Sequence, residues 1–97
     1  MRRAAKVDKN QAEIVEFFRG MGCSVAHTHM IGQGFPDIIV GWQGRNFLIE
    51  IKDLNQPPSK RKLTLAEQEW HEAWRGQVCT LTSVTDAIEA LRHWRLI

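Results

Sequence analysis

The residues best suited to chemistry lie between positions 34 and 52. This stretch contains two apolar segments joined by a Gln-Gly dipeptide. Three charged residues stand inside those apolar segments, namely Asp37, Glu50 and Lys52. Carboxylates and ammonium groups are rarely buried unless they are paired or take part in function. The stretch therefore predicts a functional site that is built into a buried strand pair.

The two segments, 37–42 and 46–52, alternate like strands, and residues 43–44 between them suit a two-residue hairpin turn. With that turn, Val40 lies opposite Phe47. Apolar side chains of the second segment then fill one face of the hairpin, and its charged side chains lie on the other. A shift of the register by one residue would exchange the two faces.

The same register places Asp37 opposite Glu50, where two carboxylates repel each other. Lys52 projects from the same face as Glu50. Three interpretations remain open: a structural ion pair, a general acid/base dyad with one raised pKa, or a divalent cation held between the acids. In the third, Lys52 holds the attacking water or hydroxide and stabilises negative charge, which suits metal-assisted hydrolysis of a phosphodiester.

The rest of the chain predicts the elements that position these residues. Capping-box spacings mark three helix starts, at Asp8 with Gln11, Thr64 with Glu67, and Ser83 with Asp86. Strand-like segments cover 23–27 and 78–82, and a loop stiffened by two prolines covers 53–62. The predicted order is α-β-β-β-α-β-α, an α/β fold with a mixed sheet flanked by helices.

Composition indicates one small soluble domain over residues 1–97, in which residues 1–7 form a flexible basic arm. Hydrophobic residues make up 43% and charged residues 25%, as is usual for globular proteins. The two cysteines are too few for a disulfide framework, and we expect both to be small buried residues. The sequence shows no signal peptide and no apolar run of membrane-spanning length, so we expect a cytoplasmic protein.

Other side chains have both a functional and a structural interpretation. His27 and His29 could bind a metal, but no third ligand lies near them in the sequence, and a structural pair is the alternative. Trp70 and Trp74 could stack on bases, although their helical spacing favours packing in the core or in a dimer interface. Four basic residues are candidates for contacts with DNA phosphates, or else parts of solvated loops: Arg45, Lys60, Arg61 and Lys62.

The Pro-Asp pair at 36–37, followed after twelve further residues by Glu50-Ile51-Lys52, resembles the PD-(D/E)xK nuclease signature. More narrowly, the chain from about residue 8 to 92 resembles the small stand-alone VRR-NUC domains of phages and prophages. Three motifs carry this likeness: Asn10-Gln11-x-Glu13-Ile14-Val15, Gly34-Phe35-Pro36-Asp37 and Leu63-Thr64-x-x-Glu67-Gln68.

The resemblance implies a restriction-endonuclease-like core and a structure-specific DNA endonuclease that depends on Mg²⁺ or Mn²⁺. Such stand-alone domains tend to be homodimers that cut branched DNA such as four-way (Holliday) junctions. The metal ligands would be Asp37, Glu50 and the main-chain carbonyl of Ile51, with Lys52 assisting the water.

The resemblance also suggests residues outside the hairpin. Gln11 or Glu13 matches a polar residue of the first helix that often completes the site. Gln68 matches a glutamine of the second helix, although a helical wheel turns it away from the tryptophans. The alternatives to this function are a nuclease that acts on flaps, nicks or other DNA, a DNA-binding module without cleavage, and a structural dimer with an incidental ion pair.

Overall fold

The computed structural model describes residues 9–94. The predicted basic arm, residues 1–7, and the predicted N-cap, Asp8, lie outside the described residues. In chain order the elements are α1 (Gln11–Gly20), β1 (Ser24–His27), β2 (Ile38–Trp42), β3 (Arg45–Ile51), α2 (Pro58–Arg61), α3 (Leu65–Ala73), β4 (Val78–Leu81) and α4 (Val84–His93). No helix within this part of the chain is long and apolar enough to cross a membrane.

The four strands form one sheet in the order β1-β2-β3-β4. The pairs β1–β2 and β2–β3 are antiparallel, whereas β4 runs parallel to β3. The predicted mixed sheet with flanking helices is therefore confirmed. One element was missed, the short helix α2 inside the predicted loop 53–62. Its first residue is Pro58, which is favourable at a helix start because its missing amide hydrogen has no partner there in any case.

The β2–β3 hairpin has the predicted turn. Gln43 and Gly44 both have positive φ angles, 49° and 77°, as a type I′ turn requires. This turn matches the right-handed twist of the two strands and fixes their register. Val40 consequently pairs with Phe47, as the sequence predicted.

The core lies on one face of the sheet, beneath α1 and α4. The side chains at its centre are fully buried, and each of the larger aliphatic and aromatic ones contributes roughly 1.5–3 kcal/mol to folding. They are Ile14 and Phe18 of α1, Ile38 and Val40 of β2, Ile49 and Ile51 of β3, and Ala87 and Leu91 of α4. Because side chains alternate along a strand, the residues between them point to the opposite face.

The opposite face of the sheet is only partly covered. None of the residues of α3 is buried, although that helix lies on this side. A groove of about 630 Å³ remains between the sheet and the end of α3, lined in part by Ile39, Leu48 and Trp74. The charged end of the hairpin therefore lies on the less covered face.

The start of α1 is tied to the sheet instead of being capped as predicted. Asn10 occupies the N-cap position without a capping bond from its side chain. Its Nδ2 donates to the carbonyls of Lys52 and Thr82, at 2.9 and 2.8 Å. Gln11, the expected capping partner, is buried, and its Nε2 lies 3.1 Å from Nδ1 of His27. These contacts fix α1 against the ends of β3 and β4.

Gly34 lets the loop before β2 approach α3 closely. Its φ angle is +82°, and a Cβ atom there would lie 2.3 Å from the carbonyl oxygen of Ala66. Both the left-handed backbone and the missing space exclude other side chains. The loop that leads into Asp37 is therefore seated directly on α3.

We expect Gly34→Ala to lower the free energy of unfolding by about 2–4 kcal/mol, because left-handed strain and overpacking add together. Gly32→Ala is the matched control, since Gly32 has a φ of +79° but no atom within 4 Å of the position that an added Cβ would take. It should lose only the strain, about 1–2 kcal/mol. Urea unfolding curves measure both, and equal losses would contradict the close contact with α3.

Candidate active site

A cleft of about 310 Å³ opens where β3 ends and α3 begins. It brings together residues from the hairpin, from α2 with the loop that follows, and from the start of α3. Its lining consists of Asp37, Glu50, Ile51, Lys52, Ser59, Lys60, Lys62, Thr64 and Glu67. The structure thus gathers the three hairpin residues of the sequence prediction into one site, together with two of the four predicted DNA-binding residues.

Asp37 is held against β3 by two hydrogen bonds, and its carbonyl also accepts from the amide of Thr28 at 2.8 Å. Its amide donates to the carbonyl of Ile49 at 2.9 Å, and its Oδ2 accepts from the amide of Ile51 at 2.7 Å. The paired ladder ends at Ile38 opposite Ile49, so Asp37 and Ile38 both adjoin Ile49. The ladder thus stops one residue short of the predicted pair of Asp37 and Glu50, but their carboxyl groups meet as predicted, since a hydrogen bond between them helps raise the pKa of Glu50.

Glu50 is the most constrained of the charged groups. The residue is only 2% exposed. Its Oε1 is buried and has no hydrogen-bond partner within residues 9–94. Burial, and then the hydrogen bond and negative charge of Asp37, raise the pKa of Glu50 to about 10. The carboxyl group of Glu50 is consequently protonated at neutral pH when no metal ion is bound beside it.

Lys52 takes a different partner from the one expected. Its Nζ lies 2.8 Å from Oε1 of Glu67 and 4.0 Å from Oε2 of Glu50. Burial by itself lowers the pKa of Lys52, but the hydrogen bond to Glu67 and the surrounding carboxylates outweigh it, so the pKa is raised. The ammonium therefore stays charged at neutral pH and acts as a cation, not as a base.

Glu67 is the site residue that sequence reasoning missed. Its Oε1 accepts from the amide of Thr64 at 2.8 Å, while its own amide donates to Oγ1 of Thr64 at 3.2 Å, which confirms the predicted capping box. Burial alone raises its pKa, but the hydrogen bonds from Lys52 and Thr64 outweigh it and lower the pKa. In the sequence Glu67 was marked by the capping spacing and stood in the motif Leu63-Thr64-x-x-Glu67-Gln68, but only Gln68 of that motif was considered for the site.

The remaining candidates of the catalytic set lie outside the cleft. Gln68 and Glu13 are exposed, and neither lines it. Gln11 is buried, and its amide is turned towards His27. Of these three residues, only Gln11 has a side chain enclosed within the fold.

The predicted DNA-binding residues divide into two groups. Lys60 and Lys62 line the cleft, whereas Arg61 is exposed beside it. Arg45 lies at the other end of β3, roughly 17 Å from Glu50 at the usual rise per residue. Its Nη2 donates to the carbonyl of Trp94 at 2.7 Å.

The two histidines form one ring pair, and the two tryptophans form another. The rings of His27 and His29 are 6.0 Å apart. Trp70 and Trp74 stack at 4.7 Å, and Trp74 is 43% exposed. Neither indole is buried in the core, so the core alternative is wrong for this pair, and a place in a dimer interface stays a prediction.

The cleft fits a hard divalent cation. Carboxylates and a main-chain carbonyl are oxygen ligands that Mg²⁺ and Mn²⁺ accept, and a cation would satisfy the unpartnered Oε1 of Glu50. Residues 9–94 contain no cluster of three or more His, Cys, Asp or Glu side chains arranged to hold a metal. A cation here would accordingly rely on Asp37, Glu50, the carbonyl of Ile51 and water molecules, of which Mg²⁺ usually keeps several.

Because the pKa of Glu50 is raised, we expect Glu50→Gln to increase the thermal stability of the metal-free protein by an amount that depends on pH. Glu50 has a pKa of about 10 when folded and about 4.5 as its ordinary value. Its contribution to stability is thus full below pH 4.5 and is lost as pH rises towards 10. At pH 8 we expect Glu50→Gln to melt at least about 4 °C above wild type, which corresponds to roughly 1 kcal/mol.

The same melting experiment provides its own control. The difference in melting temperature between Glu50→Gln and wild type should vanish near pH 4. At that pH the side chain at position 50 is neutral in both proteins, whether folded or unfolded. Glu69→Gln, at an exposed position of α3, is the matched control for the loss of a carboxyl group and should melt close to wild type at pH 8. If the difference in melting temperature for Glu50→Gln stays constant, or grows towards pH 4, the protonated state of Glu50 is contradicted.

The comparisons with known proteins bear on this fold. No protein-family model matches the chain, and no curated protein matches it. A solved structure described as a VRR_NUC domain is similar, with a TM-score of 0.68 and 24% sequence identity. The likeness covers 89% of this chain and 94% of that chain. The chain therefore has the fold of a VRR_NUC domain, a small α/β fold with a four-stranded mixed sheet flanked by helices.

Proposed function

We propose that this chain is a metal-dependent nuclease that hydrolyses phosphodiester bonds in DNA. The observation that carries the proposal is the cleft in which Asp37, Glu50 and Lys52 meet, with one buried oxygen of Glu50 left without a partner in the described part of the chain. The fold of a VRR_NUC domain supports the proposal, and so does the PD-(D/E)xK spacing of these three residues.

Asp37, Glu50 and the main-chain carbonyl of Ile51 would hold Mg²⁺ or Mn²⁺. Such an ion supplies a Lewis acid and lowers the pKa of bound water. The amide of Ile51 orients the Asp37 carboxylate by donating to its Oδ2 at 2.7 Å. The burial of Glu50 keeps bulk water away from this end of the cleft.

Lys52 supplies positive charge beside the two acids. Because its pKa is raised, it remains an ammonium and donates hydrogen bonds. It can orient a water or hydroxide for attack on phosphorus, and it stabilises the negative charge that develops on the phosphate oxygens. This role needs only a fixed position, which the contacts of Lys52 provide.

Lys60 and Lys62 line the same cleft and would contact the phosphates of the bound strand. Contacts of this kind position DNA without reading its sequence. DNA structure, and not base sequence, would then decide which substrates are cut.

For the substrate we propose branched DNA, with four-way junctions first, and for the assembly a homodimer. Both proposals rest on the resemblance to stand-alone VRR-NUC domains. A two-fold axis would present two clefts to the two strands of a junction that are cut symmetrically. Flaps, nicks or other DNA are the alternative substrates.

Incubation with a labelled four-way junction and either Mn²⁺ or Mg²⁺ tests the nuclease. We expect cleavage by wild type, a loss of about 100-fold or more in Lys52→Ala because a preorganised cation is removed, and full activity in Glu69→Gln. Absence of product with both metals, or unchanged cleavage in Lys52→Ala, would refute the proposal. Binding that is independent of metal and yields no product would instead identify a DNA-binding module.

Asp37→Asn separates cleavage from DNA binding. It removes the charge of a metal ligand but keeps the shape of the side chain, so we expect cleavage to stop. DNA binding should be retained or become tighter, because the substitution weakens repulsion of phosphate. Gel shift at low salt measures binding, and circular dichroism checks the fold. Weaker binding by a folded Asp37→Asn would contradict this placement of Asp37.

The salt dependence of binding tests the two lysines. Lys60→Ala and Lys62→Ala should each reduce the slope of log affinity against log salt concentration by about one, as for a lost phosphate contact. Arg92→Ala, on a helix of the opposite face, should leave the slope unchanged. Arg45→Ala reports how far DNA extends along β3. Unchanged slopes in both lysine variants would place the DNA elsewhere.

A further inference from the structure

The third carboxylate of the cleft comes from α3 and has no part in the proposed metal set. Oε1 of Glu67 accepts from Nζ of Lys52 and from the amide of Thr64, each at 2.8 Å. The side chains of Lys52 and Glu67 are 10% and 17% exposed, so this ion pair is largely shielded from solvent. Ion pairs of this kind hold a defined geometry better than exposed ones do.

We propose that Glu67 is a positioning residue that holds the Lys52 ammonium in the cleft and keeps it away from Glu50. The inference deepens the proposed function and rests on it for its catalytic meaning. The structural part of the inference, that Glu67 places Lys52, does not depend on any cleavage.

Competition between two carboxylates is the physical basis of this role. Lys52 has a flexible four-carbon stem, so its ammonium can reach more than one acid. Its Nζ lies at hydrogen-bond distance from Glu67 but at 4.0 Å from Glu50. If Glu67 were absent, Glu50 would be the acid within reach of Lys52. A direct hydrogen bond there would occupy a carboxyl oxygen that the proposed metal set requires.

The direction of the Glu67 carboxylate is fixed by the start of its own helix. The oxygen that accepts from Lys52 is also the one that accepts from the amide of Thr64. The amide of Glu67 donates back to the hydroxyl of Thr64, which completes the capping box. The position of Lys52 is thereby coupled to the first turn of α3 and to the segment just before it, which carries Lys62.

Three variants separate the charge of Glu67 from its capping role. Glu67→Ala removes both. Glu67→Gln keeps a side chain suited to a capping box and able to accept from Lys52, but it removes the charge. Ser83→Ala is the matched control, since Oγ of Ser83 caps α4 by accepting from the amide of Asp86 at 3.1 Å. It should lose about 1 kcal/mol of stability, as for other lost N-caps.

The first readout needs neither metal nor DNA. The folded protein is treated briefly with an amine-acylating reagent, and mass spectrometry compares the labelling of Lys52 with that of exposed Lys60 in the same molecules. We expect Lys52 labelling to rise severalfold in Glu67→Ala, because the amine is released from its 2.8 Å hydrogen bond to Glu67 and is no longer held in a largely shielded position. Glu67→Gln should be intermediate, and Ser83→Ala should match wild type.

The second readout is steady-state cleavage of the four-way junction. We expect kcat to fall at least about 10-fold in Glu67→Ala with KM within about twofold, because positioning is lost but phosphate contacts remain. Glu67→Gln should recover part of kcat. If wild type itself does not cleave, the nuclease proposal fails, and the acylation result alone decides the placement of Lys52.

Two outcomes would overturn the inference. One is Lys52 labelling in folded Glu67→Ala equal to that in wild type. The other is a rise in Ser83→Ala as large as in Glu67→Ala, which would show that lost stability alone exposes the lysine. If Glu67→Ala does not fold, Glu67→Gln carries the test, and wild-type labelling in that variant would overturn the role of the charge.

Discussion

The site depends on one unfavourable contact, that of two carboxyl groups in a buried corner of the hairpin. Asp37 and Glu50 are close enough for the charge of one to help raise the pKa of the other to about 10. A fold keeps such a contact only if neighbouring residues stabilise it or if a ligand relieves it. The surrounding structure does the first, and a cation would do the second.

Several elements share the task of holding this corner in place. On one side, a tightly packed core fixes β2 and β3 beneath α1 and α4, so the hairpin cannot slide. On the other side, Gly34 brings the preceding loop against α3, and α3 returns Glu67 to Lys52. The site is thus rigid in its strands and is completed by a helix that itself has no buried residue. The charged side chains of the hairpin lie on the less covered face of the sheet, where the cleft leaves room for a substrate.

The sequence predicted what local chemistry decides. The Gln43-Gly44 turn and the Thr64 and Ser83 caps depend on a few neighbouring residues, and all of them are present. What the sequence could not predict are contacts between distant segments. The pairing of Lys52 with Glu67, for example, joins the residue after β3 to the start of α3 and arises from tertiary packing.

The double use of one Glu67 oxygen restricts which amino acids this position can hold. A residue here must accept from a helix-start amide and also reach an ammonium across the cleft. Aspartate is one methylene shorter, and aliphatic side chains offer no acceptor at all. Only glutamate meets both demands with charge, and glutamine meets them without it. A search for further chains with this arrangement can therefore include the residue three places after the helix cap in the pattern of the cleft.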